Sequence, residues 1–137
     1  MTKKISAKKV EKVMYSNYLK KAAENYGSAS ESLKNKSYNA AAVSAVHSAI
    51  SSADAYCVYN LGKRCTSPKH EDAADLIMST TYGGAEKLSV SRKFRAIIRI
   101  KNMAEYEDRL VKPKDSEKAV KESGELLKIV KNAVGDK

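Results

Sequence analysis

Residues 37–59 read SYNAAAVSAVHSAISSADAYCVY, and this stretch decides the fold of the chain. Apolar side chains repeat within it at gaps of three and four residues, at Val43, Val46, Ile50, Ala53 and Cys57. Small residues fill most of the remaining positions, and Asp54 is the one charged residue. A helix with so few charges gains little from facing water, so we expect other helices to enclose it on most sides and Gly62 to end it.

Two further helices are predicted on either side of this stretch. The first covers residues 7–34, where an apolar seam repeats at helical spacing at Tyr15, Leu19, Ala22, Tyr26, Ala29 and Leu33. A short helix follows over residues 68–79, because Ser67 is a favourable N-cap residue and Pro68 suits the first helical position.

The last two predicted helices meet at Pro113. The fourth helix covers residues 85–112 and has one apolar face, formed by Ile97, Ile100, Met103, Ala104, Leu110 and Val111. Pro113 ends this helix. Asp115 or Ser116 is the predicted N-cap of a fifth helix that runs to residue 134. No segment of the sequence shows the alternating pattern of a strand. The sequence therefore predicts an all-α fold, an up-and-down bundle of four long helices and one short helix that forms a single domain over residues 1–137.

Composition narrows the class of partner. The chain has 137 residues and a formal net charge of +10, which favours polyanionic partners. Cys57 and Cys65 are not spaced as a CxxC pair, so the sequence predicts reduced thiols, no metal site and no cofactor. No apolar stretch approaches the roughly 20 residues of a membrane span, and no signal peptide is recognisable, so we expect a cytoplasmic protein.

The fourth predicted helix carries what we call the polar stripe: Arg92, Arg95, Arg99, Asn102, Tyr106 and Arg109. Successive members are three or four residues apart, so their side chains project from one sector of a helix. Guanidinium, amide and phenol groups in one column suit the phosphates of a nucleic acid. The alternative interpretation is a solvated face whose arginines pair with Asp and Glu side chains.

Two histidines are candidates for proton transfer. His47 lies in a polar line on the second helix, and we expect it to be packed between helices; the alternative is that it leans toward the fourth helix and acts as a base. Arg64 and His70 have an Arg-x5-His spacing, but Pro68 lies between them, so helical geometry is absent. We interpret His70 as a surface residue, with the alternative that its loop approaches the polar stripe.

The order of these elements resembles that of the HEPN domain family (higher eukaryotes and prokaryotes nucleotide-binding). The similar strings are residues 18–24 (YLKKAAE) on the first helix and residues 37–41 (SYNAA) at the start of the Ala-rich second helix. A loop at residues 66–70 and a short helix follow, and residues 100–108 lie where the family carries its signature. The resemblance covers residues 13–134 and implies a helical fold that pairs into a homodimer through the second and fourth helices.

HEPN ribonucleases, which need no metal, carry Arg and then His on the fourth helix, separated by four to six residues. In this sequence Tyr106 stands at the His position. Either Lys101, followed by the polar Asn102, or Arg99 fits the Arg position, and Arg99 lies only about 20° from Tyr106 around the helix. These residues and His47 are the candidate catalytic set, and Arg92, Arg95, Arg99, Asn102 and Arg109 are the candidate nucleic-acid-binding set.

The substitution of Tyr for His favours binding over catalysis. RNA cleavage needs a group that both takes and gives a proton, and an imidazole with a pKa of about 6.5 does this better than a phenol with a pKa of about 10. The resemblance implies an RNA-binding or RNA-processing protein of a prokaryotic toxin–antitoxin or defence system, with a nucleotidyltransferase-type antitoxin as partner. The alternative function is a catalytically silent helical adaptor that binds a protein.

Overall fold

The structure is a computed structural model that describes residues 4–80, 84–106 and 108–135, with only the backbone described for Glu105 and Tyr106. Within these residues it is mostly helical, with five α-helices: α1 (Tyr15–Lys34), α2 (Tyr38–Leu61), α3 (Glu71–Met78), α4 (Gly84–Tyr106) and α5 (Pro113–Ala133). A 3₁₀ helix, Lys12–Met14, precedes α1, and two short strands, β1 (Ala7–Lys9) and β2 (Lys63–Cys65), pair in antiparallel orientation. The all-α prediction is confirmed as to class, apart from this small sheet.

Helix α2 lies at the centre of the fold, as its composition predicted. It packs against α1, α3, α4 and α5, and most of its side chains between Ala41 and Val58 are buried. Small side chains bring it close to α1, where the buried Ser48 hydroxyl donates a hydrogen bond of 2.8 Å to the Ala22 carbonyl. Gly62 ends α2 in the left-handed conformation, with φ of 66°, which is the role expected of it.

Helix α4 is fixed to its neighbours by polar contacts at its first half. The phenol of the buried Tyr56 on α2 donates a hydrogen bond of 3.2 Å to Glu86 near the start of α4. About two turns further along α4, the Lys93 ammonium forms ion pairs with both Glu122 and Glu125 of α5, at 3.0 and 3.2 Å. These contacts attach the first half of α4 to α2 and α5 and accompany the burial of its apolar face.

The predicted first helix begins too early, because residues 7–11 are not helical and only the 3₁₀ helix at Lys12–Met14 precedes α1. Residues 7–9 form β1 and pair with β2, with Lys8 opposite Arg64. The Val10 amide then donates to the Gly62 carbonyl at 2.9 Å, which extends the attachment to the end of α2. The partner of this strand is distant in sequence, so the local pattern of side chains contains no signal for the pairing.

Helix α3 begins three residues later than predicted. His70 occupies the N-cap position, and the Ser67 hydroxyl forms a small turn by accepting a hydrogen bond from the Lys69 amide at 3.1 Å. The same hydroxyl donates to the Asp72 carboxylate at 2.6 Å. Ser67 therefore organises the loop before α3 and does not cap the helix directly.

The junction of α4 and α5 also differs from the prediction, because α4 ends at Tyr106 and Pro113 begins α5. The amide of the buried Val111 donates to the Asn39 side chain at 2.7 Å, so the connecting segment is attached to the start of α2. Leu110, expected on the apolar face of the fourth helix, is 78% exposed. Among the described helices, none combines the length and hydrophobicity that a bilayer span requires.

The two glycines inside long helices provide a matched pair of substitutions. An added Cβ at Gly27 in α1 would meet no atom within 4 Å, whereas at Gly124 in α5 it would lie 2.7 Å from the Tyr26 ring. We expect Gly27→Ala to raise the free energy of unfolding by up to about 1 kcal/mol through helix propensity. Gly124→Ala should lower it by about 1–3 kcal/mol through overpacking. Urea unfolding measures both, and equal changes in the two variants would contradict the packing of α5 on α1.

Candidate functional site

One face of α4 is buried and the opposite face carries most of the polar stripe. Phe94, Ile97 and Ile98 are almost fully buried against the core. Arg92, Arg99 and Asn102 are exposed and Arg95 is half-exposed. The spacing of three and four residues therefore gives the division of faces that the sequence predicted.

Three members of the polar stripe line a small cleft between α3 and α4, which we call the arginine cleft. Its volume is about 140 Å³, and its lining residues are Glu71, Phe94, Arg95, Ile98, Arg99 and Asn102. The Phe94 and Ile98 side chains supply an apolar floor, and the guanidinium and amide groups surround it. Such a surface offers several guanidinium and amide hydrogen-bond donors to an anionic ligand, beside the one carboxylate of Glu71.

The arginines of this cleft differ in their contacts. Arg95 donates to the Asp75 carboxylate of α3 at 2.7 Å, so this guanidinium is partly neutralised. In the described part of the chain, Arg92, Arg99 and Asn102 form no side-chain hydrogen bond or ion pair. Arg99 and Asn102 are thus the donors of the cleft that remain available to a ligand.

The last two members of the polar stripe, Tyr106 and Arg109, lie at and beyond the end of α4. Arg109 is exposed but lies beyond the end of α4, so the expectation that it continues the helical column is wrong. Tyr106 is the last residue of α4, and its side chain falls outside what the structure describes. Its expected place beside Arg99 therefore stays a prediction.

The two candidates for the motif Arg position lie on different sides of α4. Lys101 is only 8% exposed, so its side chain is part of the protein interior and does not line the arginine cleft. Arg99 is exposed and lines it. This arrangement favours Arg99 as the residue that faces a ligand.

His47 is not packed between helices, contrary to expectation. It is exposed on α2 and is not among the side chains that line the arginine cleft. The core of α2 is filled by alanine, valine and serine side chains, and the position of His47 falls on the narrow edge that they leave uncovered.

A second cleft, which we call the Asp54 cleft, lies between α2, β2 and the start of α3. Its volume is about 190 Å³, and it is lined by Ile50, Asp54, Arg64, Cys65, Thr66, Ser67, His70, Ala73 and Phe94. His70 lines this cleft at the surface of the protein, with only part of its side chain exposed. Phe94 also lines the arginine cleft, so the loop that carries His70 does approach the polar stripe.

The carboxyl group of Asp54 is unusual for a buried acid. Asp54 is 9% exposed, and no hydrogen bond to its side chain comes from any described residue. Burial raises the pKa of Asp54 to about 7, although the charges of Arg64 and Lys21 lower it in part. A buried acid with a shifted pKa in a cleft is a candidate functional group.

The sequence contained a signal for this second site. Asp54 is the only charged residue in an otherwise small and apolar helix, and a lone charge in a buried helix needs a structural or functional reason. Local patterns could not reveal which residues share the cleft with Asp54, because Arg64 and His70 come from the segment after α2 and Phe94 comes from α4. No group of three or more potential metal ligands occurs within the described ranges.

The fold and the two clefts define a small, mostly helical domain with a cationic surface on its fourth helix. The family model of the HEPN domain matches residues 15–133, so the chain belongs to the HEPN domain family. HEPN domains are generally associated with nucleotides or RNA and are often ribonucleases in toxin–antitoxin systems. No curated protein matches the chain with significant sequence similarity.

The burial of Asp54 predicts a specific dependence of stability on pH. Its pKa of about 7 in the folded state lies above the ordinary value of 3.8, so the folded state holds a proton that the unfolded state loses as the pH rises. The wild-type protein should therefore lose up to about 4 kcal/mol of stability between about pH 4 and pH 7 through this group.

The variant Asp54→Asn removes this titration. Its free energy of unfolding should match that of the wild type near pH 4 and exceed it at pH values above about 7, as measured by urea unfolding across that range. Glu117→Gln removes an exposed carboxylate of α5 and serves as the control, with little change expected. A constant difference between Asp54→Asn and the wild type at every pH would contradict a buried, titrating Asp54.

Proposed function

We propose that this protein is a cytoplasmic RNA-binding or RNA-processing HEPN protein of a prokaryotic toxin–antitoxin or defence system. The observation that carries the proposal is the arginine cleft, where exposed Arg99 and Asn102 side chains lie beside Arg95 over an apolar floor. Guanidinium groups bind phosphate in a bidentate manner, and the amide adds a donor and an acceptor for a base or a sugar hydroxyl. The net charge of +10 adds attraction to a polyanion at longer range.

Weak or absent metal-independent ribonuclease activity is part of the proposal. Tyr106 replaces the imidazole that family ribonucleases use, and a phenol is almost wholly protonated at neutral pH. His47 is exposed on α2 and is not among the residues that line the arginine cleft, so nothing within one chain assigns it the role of that imidazole. Tyr106 can still donate a hydrogen bond to phosphate or stack on a base.

A homodimer is the proposed assembly, as is common in the family. The exposed face of α4 and the exposed edge of α2 that carries His47 would lie at its interface, so that two arginine clefts meet. A nucleotidyltransferase-type antitoxin is the proposed protein partner. Both proposals are supported by family membership and by the exposure of these two surfaces.

Replacement of Arg99 tests the RNA-binding surface. In Arg99→Ala we expect weaker binding of single-stranded RNA and a plot of log affinity against log salt whose slope is smaller by about 0.7, because one phosphate contact is lost. Lys128→Ala, which removes an exposed cation of α5, is the matched control and should change both quantities less. Fluorescence anisotropy over a salt series measures them, and identical behaviour of the two variants would contradict the arginine cleft as the RNA site.

A cleavage assay in EDTA tests the catalytic part of the proposal. We expect little or no cleavage of RNA by the wild-type protein, because the candidate site lacks an imidazole at the motif position. Tyr106→His restores the residue type of the family ribonucleases and should raise the cleavage rate, and Arg99→Ala should abolish that gain. Robust cleavage by the wild type that survives Tyr106→Phe would show that another group is the catalyst.

One observation favours the adaptor function as the second candidate. The Arg95 side chain is paired with Asp75, and Glu71 lines the same cleft, so the arginine cleft already accepts carboxylate neighbours. An acidic segment of a protein partner would find similar chemistry there. Absence of RNA binding at low salt, together with Arg99-dependent binding of a partner protein, would establish the adaptor in place of the RNA-binding protein.

A further inference from the structure

The Asp54 cleft and the arginine cleft are adjacent parts of one surface. The Phe94 side chain lines both clefts. At the start of α3, His70 lines the Asp54 cleft, and the next residue, Glu71, lines the arginine cleft. A strand of RNA whose phosphates contact Arg99 therefore has a second concave site within reach of its bases.

The Asp54 cleft contains an acceptor that lacks a donor. Asp54 is 9% exposed as a residue, and within the described residues no side chain or backbone group donates a hydrogen bond to its carboxylate, so its donors are left to solvent or a ligand. Partial desolvation disfavours the ionised carboxylate, and the nearby charges of Arg64 and Lys21 offset this only in part. The cleft is thus complementary to a ligand that brings hydrogen-bond donors to a carboxylate.

The size and walls of the cleft suit a planar ring. Its volume is about 190 Å³, and Ile50, Ala73 and Phe94 form its apolar walls. An engineered protein cavity of roughly 150 Å³ holds benzene, so an aromatic heterocycle can be accommodated when one edge remains at the mouth. The Arg64 guanidinium also lines the cleft and can contact the sugar–phosphate backbone that such a base carries.

Guanine is the RNA base whose Watson–Crick edge fits this acceptor. Its N1–H and N2–H₂ groups are adjacent donors that a carboxylate can accept together, whereas adenine, cytosine and uracil each present at most one donor group flanked by acceptors on that edge. Unpaired bases of single-stranded RNA are recognised through this edge in pockets of proteins. We propose that the Asp54 cleft receives one unpaired guanine of the RNA whose phosphates lie along the arginine cleft. This inference rests on the proposed RNA-binding function and adds a base preference to it.

Base preference is the measurement that tests the inference. The probes are single-stranded oligouridines of roughly eight nucleotides, each with one central guanine, hypoxanthine or adenine. We expect the wild-type protein at about pH 8 to bind the guanine probe about tenfold more tightly than the adenine probe, since a bidentate base contact discriminates by roughly that factor. The hypoxanthine probe lacks the N2 amine and should fall between them.

The variant Asp54→Asn should bind all three probes with similar affinity, while its affinity for the adenine probe stays near that of the wild type. This result separates base recognition from a general loss of structure, which would weaken every probe. Glu117→Gln removes the same charge from an exposed site of α5 and should keep the guanine preference.

The outcomes distinguish the inference from the function on which it rests. Equal affinity of the wild type for all probes, with binding that Arg99→Ala weakens, would overturn guanine recognition and leave RNA binding intact. A guanine preference that persists in Asp54→Asn would also overturn the assignment to this cleft. Absence of binding to every probe at low salt would overturn the proposed function and the inference together.

Discussion

The rest of the structure depends on the close packing of α2 inside a shell of other helices. Alanine and serine at its contact positions allow the backbones of α1 and α2 to approach closely, and the hydrogen bond from Ser48 to the Ala22 carbonyl is possible only at such a separation. Because α2 is covered by α1, α4 and α5, the positions of those helices are set relative to one another. The exposed face of α4 is a consequence of this packing.

Features with a local cause were predictable from the sequence. The seam of α1 and the inward positions of α5 repeat at helical spacing, and the structure buries Leu19, Ala22 and Ala29 on one and Val120, Leu127 and Val130 on the other. Gly62 ends α2 because a left-handed conformation follows directly from its lack of a Cβ. The division of α4 into an apolar and a polar face has the same local origin.

Features with a distant cause were not predictable. The strand at residues 7–9 exists because of β2. The segment after α4 is held by a hydrogen bond between Val111 and Asn39, which lie far apart in sequence. The same limit applies to the candidate site. Helical spacing placed Arg95 and Arg99 together, but it contained no sign that Asp75 of α3 would engage Arg95 and leave Arg99 available.

The polar groups of the two clefts differ in what they cost the folded state in free energy. Arg99 and Asn102 are exposed, so water solvates them and the folded state loses little by presenting them. Asp54 is buried, and a rise of its pKa from 3.8 to about 7 corresponds to a free-energy cost that is a large fraction of the roughly 5–15 kcal/mol that stabilises a small domain.

An asparagine would fill the same volume in α2 without the charge, so packing alone gives no reason for an acid at this position. A ligand with paired donors supplies such a reason, because it lowers the free energy of the ionised carboxylate only when it is bound. On this view the Arg99 surface provides affinity for any strand, and Asp54 provides the distinction between one base and another.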